Sequence, residues 1–373
     1  MFLAFKLSDI ITIPFGWVLG QLYRLCGSYG LAMVFFAVIV YMVMLPITAK
    51  SKQSMMKMSR LQPKLQDIQK RYASDPQKQN EMVQKLYQEE NVGMTGGCLW
   101  SLVPLMILIP LFTVIREPMV YVLGESAEVA KQIVELVKAA APEAFTGNQY
   151  YHQVVATELL PRFAAEIKEV IPTVSDATLA GINFNFLGID FSAIPQFNIF
   201  AWEKYDWAHL GLFIVPLLSA GSQVLSMWVT QKMNNSVITN EKGIQDAETA
   251  ANSTAAQSTK SMMVVGPLMS LWIGFTVPCA LSLYWLVGGL VRLIQDVILT
   301  KHYRKIYDAE DAVRLQKAME LDAIEAEKER VRAQRRAANP DGITANTSKK
   351  KLQKAEAQKE AAQRAKITCL VLP

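Results

Sequence analysis

Five long apolar runs, at about residues 28–48, 98–122, 208–230, 262–278 and 280–299, constrain this chain more than any other feature. Each approaches or exceeds the ~18–20 residues an α-helix needs to cross ~30 Å of hydrocarbon, and most are uncharged. Of 373 residues 51% are hydrophobic and only 19% charged, a balance that excludes a disordered protein and argues against an ordinary soluble enzyme. The expected fold is an all-α polytopic membrane protein with five transmembrane helices, a cytoplasmic helical hairpin and an N-terminal interfacial helix.

Charge placement divides the chain further. Residues 1–27 are apolar but interrupted by Lys6, Asp9, Pro14 and Arg24, and lack the basic start, unbroken core and cleavage site of a signal peptide. They read as an interfacial amphipathic segment. After a first span at 28–48, the stretch 49–97 is rich in Lys and Arg close to span ends, among them Lys50, Lys52, Lys57, Arg60 and Lys64, which marks a cytoplasmic loop. Beyond the second span, 98–123, acidic residues outnumber basic ones through 124–207, so this segment is expected outside the cell. The third span is 208–230, a polar flexible cytoplasmic loop occupies 231–261, the fourth and fifth spans fill 262–299, and a basic cytoplasmic tail covers 300–373. An odd number of spans then places the N-terminus outside and the C-terminus inside a plasma membrane.

The loop at 49–97 reads as a hairpin of two helices. Leu61, Leu65 and Ile68 form an apolar stripe at spacings of four and three, and Ser74-Asp75-Pro76 supplies a cap and an N1 proline for the second helix. Within the outer segment, helices are expected at about 126–141 and 150–171, with an extended run from Ile182 to Phe191, and Trp202, Tyr205 and Trp207 form an aromatic belt before the third span.

No phosphate-binding glycine loop, HExxH, GxSxG or close intramembrane carboxylate pair is present. Four scattered cysteines (Cys26, Cys98, Cys279, Cys369) and three scattered histidines support neither a disulfide framework nor a metal site, and no cofactor is expected. The spans hold uncharged polarity instead. Ser219, Ser222, Gln223 and Ser226 share one helical stripe, which serves either close helix packing or a wetted groove inside the bilayer.

The ordered set of short motifs resembles the YidC family of membrane-protein insertases, relatives of the mitochondrial Oxa and chloroplast Alb proteins. The residues that carry the likeness are Gly27-Ser28-Tyr29-Gly30-Leu31-Ala32, Leu45-Pro46-Ile47-Thr48, the run Ser54 to Lys64, Gly96-Gly97-Cys98 with Pro104 and Pro110, Phe186 to Asp190, Gln231-Lys232-Met233, and Leu283 to Leu290. The five-span form with no large first outer domain is similar to the Gram-positive members. The resemblance implies a non-enzymatic insertase and chaperone that accepts hydrophobic segments from the cytoplasm or ribosome through a polar groove. It releases them into lipid without nucleotide hydrolysis, alone or with the Sec translocon. Its implied partners are nascent membrane proteins, the ribosome, the Sec translocon and membrane lipids.

Carried onto this chain, the groove residues are Tyr41, Ser222, Gln223, Ser226 and Trp285, and the hairpin capture residues are Met55, Met56, Met58 and Leu61. Lys349, Lys350 and Lys351 are the ribosome- or lipid-binding residues of the tail. Two departures stand out. The family's first span usually carries an arginine where this chain has Tyr41, and the segment 124–207 is longer than the family leads one to expect. The competing class is a small-solute channel or transporter, which calls for charged or ion-ligating residues at mid-membrane.

Overall fold

A computed structural model describes residues 9–90, 103–202, 204–235 and 254–338, together with positions 238, 244, 349, 353–354 and 356–361. In chain order the helices are α1 (Asp9–Cys26), α2 (Tyr29–Val43), α3 (Leu45–Arg60), α4 (Gln62–Arg71), α5 (Pro76–Glu89), α6 (Val103–Arg116), α7 (Pro118–Tyr121), α8 (Ala127–Ala140), α9 (His152–Leu159), α10 (Ala164–Val170) and α11 (Asp176–Leu179). After the short strands β1 (Asn185–Phe186) and β2 (Ile189–Asp190) come α12 (Trp207–Asn235), α13 (Thr254–Gly274) and α14 (Cys279–Ala338). The architecture is all-α apart from that strand pair. Contacts divide it into one unit of Met1–Asn240 with Gln245–Asp308 and a second of Glu241–Ile244 with Ala309–Pro373.

Among the described residues, α12 over Trp207–Met233 and α14 are each long and apolar enough to cross a membrane, and α2 with α3 makes a third candidate if the bent pair is one span. The apolar helices Ile107–Arg116 and Val264–Gly274 are shorter. The run expected as one first span, 28–48, is two helices meeting at 54°. The cause is local. Pro46 has no N–H for the carbonyl of Met42, and its ring crowds the preceding turn. No helix boundary falls at residue 300: α14 runs unbroken past the expected end of the fifth span to Ala338. The loop expected at 231–261 is shortened from both sides, by α12 to Asn235 and by α13 from Thr254.

The helix α1 is two-faced. Its Gly16 and Gly20 lie against Tyr121 and Val122 so closely that a Cβ on either would collide with backbone. Ile10, Ile13 and Trp17 stand exposed at spacings of three and four. Gly27, at φ 65°, ends the helix in the left-handed conformation, its N–H returning 2.8 Å to the Tyr23 carbonyl.

Residues 118–182 fold around a core of their own, in which Met119, Ile133, Val137, Leu160 and Ile167 are fully buried. Ser126 and Ser175 cap α8 and α11 through Val129 and Thr178. The extended run then does structural work that its length conceals. Asn183 accepts from the Tyr29 N–H at 3.0 Å, and Phe191 and Ala193 accept from Ala280 and Cys279 at 3.1 and 2.9 Å. One segment therefore satisfies orphan donors at the starts of both α2 and α14. Its turn, Leu187-Gly188, holds both residues at positive φ (54° and 77°), and the Trp207 indole donates to the Leu187 carbonyl at 2.7 Å.

The helices α4 and α5 pack through Leu65 and Leu86, with Leu61 just before α4 in the same cluster. Asp75 caps α5, accepting from Lys78 N–H at 3.0 Å, with Pro76 at the first helical position. In the second unit, the part of α14 beyond Asp308 is almost entirely exposed, its apolar Val313, Met319, Leu321 and Ile324 included, and Lys349 is exposed; Lys350 and Lys351 lie outside the described residues.

Candidate functional site

Glycines on α14 set the spacing of the site. A Cβ on Gly288 would strike the Tyr41 ring of α2, and one on Gly289 would strike Ser222 of α12. Paired on adjacent positions, they admit two neighbouring helices at backbone distance, as small residues do in helix packing within lipid. On the same side of α14, Tyr284, Gly288, Arg292, Gln295 and Asp296 recur at spacings of three and four and so face one way.

A cavity of roughly 530 Å3 opens between these helices. Its wall takes Tyr41 from α2, Lys52 and Met55 from α3, Ile107 from α6, Gln223 and Thr230 from α12, Ser270 from α13, and Trp285, Arg292 and Asp296 from α14. The guanidinium of Arg292 donates to the Tyr41 hydroxyl at 3.0 Å and lies 5.6 Å from the centre of that ring. Gln295 donates to the Tyr41 carbonyl at 2.9 Å, so two residues of α14 hold one residue of α2 by side chain and backbone together. Toward the α3 end, Lys52 Nζ stands 3.7 Å from Asp296 Oδ1, and Asp296 also accepts from the Thr230 hydroxyl. Lys52 is 3% exposed and Asp296 8%, so this ion pair is taken almost wholly out of solvent. Such a pair persists only where each charge has a partner.

The structure thus brings Tyr41, Gln223 and Trp285 to one cavity. Ser222 and Ser226 are buried and do not line it; Ser222 lies against Gly289 of α14 and donates to the Ser219 carbonyl at 2.8 Å. The methionines separate likewise: Met55 is 41% exposed on the cavity wall, Met56 is fully buried against Tyr303 and Tyr307, and Met58 packs with Leu61 in the hairpin core. The sequence counts Lys52 as a loop charge and sets Arg292 and Asp296 near the inner end of the fifth apolar run, and it assigns none of them, nor Thr230, to the groove. The readable signal was the Arg292-Gln295-Asp296 spacing inside an apolar run; which helix that face would meet was not readable. No group of three or more metal-ligating side chains occurs among the described residues.

Residues 21–306 match the family model described as 60Kd inner membrane protein. The chain is 40% identical over 106 residues to a protein named membrane protein insertase YidC from Caldanaerobacter subterraneus subsp. tengcongensis, covering 28% of this chain and 52% of that protein. It is 41% and 39% identical over 103 residues to proteins of the same name from Ralstonia nicotianae and Cupriavidus taiwanensis, covering 28% of this chain and 18% of each. The aligned region therefore spans about half the length of the first of these relatives and less than a fifth of the other two. With its apolar helices and a match that takes in the whole cavity wall, the chain is a membrane protein that belongs to the 60Kd inner membrane protein family.

Proposed function

We propose that this protein is an insertase that accepts hydrophobic segments of nascent membrane proteins and passes them sideways into lipid without hydrolysing nucleotide. One observation carries the reading: a cavity walled by Tyr41, Gln223, Trp285 and Arg292 sits among apolar helices, offering hydrogen bonds and a cation where lipid offers neither. A polar tail crossing hydrocarbon pays the loss of its water. Each uncharged hydrogen bond returns only ~1 kcal/mol, whereas one to a charged group returns about 1.5–3 kcal/mol. A cavity with a half-buried guanidinium on its wall therefore lowers the barrier more than hydroxyls and amides alone. Ser222 and Ser226 contribute by letting α12 and α14 approach.

In this reading the N-terminus lies outside the plasma membrane and α4 and α5 project into the cytoplasm. Met55 is the adaptable contact for incoming apolar segments, with Met58 and Leu61 packing the hairpin behind it and Met56 packing α3 onto Tyr303 and Tyr307. Lys349, Lys350 and Lys351 attract ribosomal RNA or anionic lipid, and the Sec translocon is a partner for larger clients. Protein reconstituted in liposomes is expected to promote insertion of a single-span substrate with no nucleotide added. Insertion no greater than into protein-free liposomes would overturn the proposal.

A further inference from the structure

We propose that residues 187–207 form an interfacial anchor, which seats Leu187, Phe197, Phe200, Tyr205 and Trp207 in the lipid leaflet at the N-terminal end of α12. In the orientation proposed for the chain, that leaflet is the outer one. The inference rests on the chain being a membrane protein and is independent of how an inserting segment is handled.

All five side chains are between 58% and 87% exposed, and a surface that gathers this much apolar area is covered by something. They are displayed by a braced frame. The Trp207 indole donates to the Leu187 carbonyl, the Tyr205 hydroxyl donates to the Ile199 carbonyl at 3.0 Å, and the Phe197 ring meets Phe275 edge-on at 5.2 Å. Trp202, expected in an aromatic belt with Tyr205 and Trp207, turns inward instead. It is buried, its ring centre 5.7 Å from that of Phe213 and 5.8 Å from that of Tyr205, and its indole donates to the Gln196 carbonyl at 3.4 Å. Leu187 stands at φ 54°, a left-handed conformation that costs a leucine more than the Asn usual in such turns, yet its side chain is displayed and not packed.

Lipid is the occupant because the patch prolongs the face that α12 turns to hydrocarbon. Trp207, Leu210, Leu217, Val224 and Trp228 are all exposed, and their spacings of three, seven, seven and four put them on one side of a helix long and apolar enough to cross a membrane. Gln223, on the cavity wall, lies on another side. Local chemistry also sets the depth. Tyr205 and Trp207 spend their polar atoms on carbonyls of the segment itself, so both rings can leave water without an orphan donor. The irregular backbone before α12 and the exposed Lys204 and Asp206 belong at the headgroups, since hydrocarbon satisfies neither. Residues 194–207 carry Glu203 and Asp206 against Lys204, so anionic headgroups add no attraction and apolar burial drives the contact.

The test uses the full chain in phosphatidylcholine nanodiscs, with its native cysteines replaced and a nitroxide attached through Leu187→Cys, Phe200→Cys, Thr146→Cys or Leu218→Cys. The ratio of collisions with oxygen, which concentrates in lipid, to collisions with a water-soluble nickel chelate reports lipid contact. Thr146, exposed in the outer segment, is the water reference, and Leu218, exposed on α12, is the lipid reference. At 187 and 200 the ratio is expected to be about fivefold above that at 146, below that at 218, and unchanged when phosphatidylglycerol replaces part of the lipid. Phe200→Asp should lower the ratio at 187 about twofold, because the two side chains share one surface. In the chain with its cysteines intact, lipid brominated near the headgroup should quench a portion of the tryptophan fluorescence that Trp207→Phe removes. Ratios at 187 and 200 equal to that at 146, or no quenching lost in Trp207→Phe, overturn the proposal. Labels shielded from both oxygen and nickel would mean that protein covers the patch, which overturns it as well.

Discussion

Arg292 and Tyr41, 251 residues apart, are joined by a 3.0 Å hydrogen bond from guanidinium to phenol hydroxyl. A cation from α14 thus stands at α2, which carries none of its own. The absence of a side chain at Gly288 admits the Tyr41 ring to which that guanidinium bonds.

Removing that charge separates its role from folding. Arg292→Gln is expected to reduce insertion of a substrate with an acidic tail by roughly ten- to a hundredfold, in keeping with a hydrogen bond to a charged group. Insertion of the same substrate with a neutral tail should fall far less. Liposome insertion of both substrates reads the ratio, and equal losses would remove Arg292 from the groove chemistry. Tyr41→Phe, which removes one hydroxyl, should lie between wild type and Arg292→Gln.

The close approach at Gly288 makes a stability prediction. Gly288→Ala places a methyl group into the Tyr41 ring, and overpacking of this kind costs about 1–3 kcal/mol. Thermal unfolding in detergent should show the loss. Combining it with Tyr41→Ala should recover much of that loss, because the ring it strikes is gone.

The two neighbouring methionines should behave differently. Met56 is fully buried, so Met56→Ala leaves a cavity and should cost about 2–5 kcal/mol. Met55, 41% exposed on the cavity wall, should lose little stability as alanine but weaken crosslinking to apolar substrate segments. Thermal melts and substrate crosslinking on the two variants distinguish these outcomes.

Asp206 gives a pH signature at the start of α12. The His209 backbone N–H, donated to its carboxylate at 3.0 Å, holds its pKa below the ordinary Asp value, with the His209 side chain adding to the effect. A depressed carboxylate pKa means that the folded state favours the charged form. The contribution is therefore present above the ordinary range near pH 4 and lost as pH falls through the depressed value. Asp206→Asn should narrow the stability difference from wild type as pH is lowered through that window, measured by thermal midpoint against pH. A difference independent of pH would count against the charge.

Much of this architecture was legible because it depends on local chemistry. Alternation of long apolar runs with charged stretches specifies helices in lipid, Asp75-Pro76 starts α5 where its cap requires, and the run at 182–191 is extended as its composition suggests. The bend at Met44 was less legible. Leu-Pro reads equally as the end of a span or as a kink, and the continuation through α3 depends on contacts with α14.

The candidate site was legible in part, residue by residue. Tyr41, Gln223 and Trp285 share the cavity as polar or aromatic residues on separate helices can, yet Ser226, on the same stripe as Gln223, is buried and does not line it. A stripe about 100° wide touches both a neighbour helix and an opening, and periodicity alone does not divide it.

By itself the sequence determined that apolar helices would exist, where most of them begin, and that the charges would be segregated along the chain, since hydropathy and capping act within a few residues. Only the tertiary structure decided which charges share a cavity. Arg292 meets Tyr41, and Lys52 meets Asp296, because Gly288 and Gly289 bring α14 against α2 and α12 while the 54° bend turns α3 onto α14. Those distances belong to helix packing, which the sequence of any one helix does not contain.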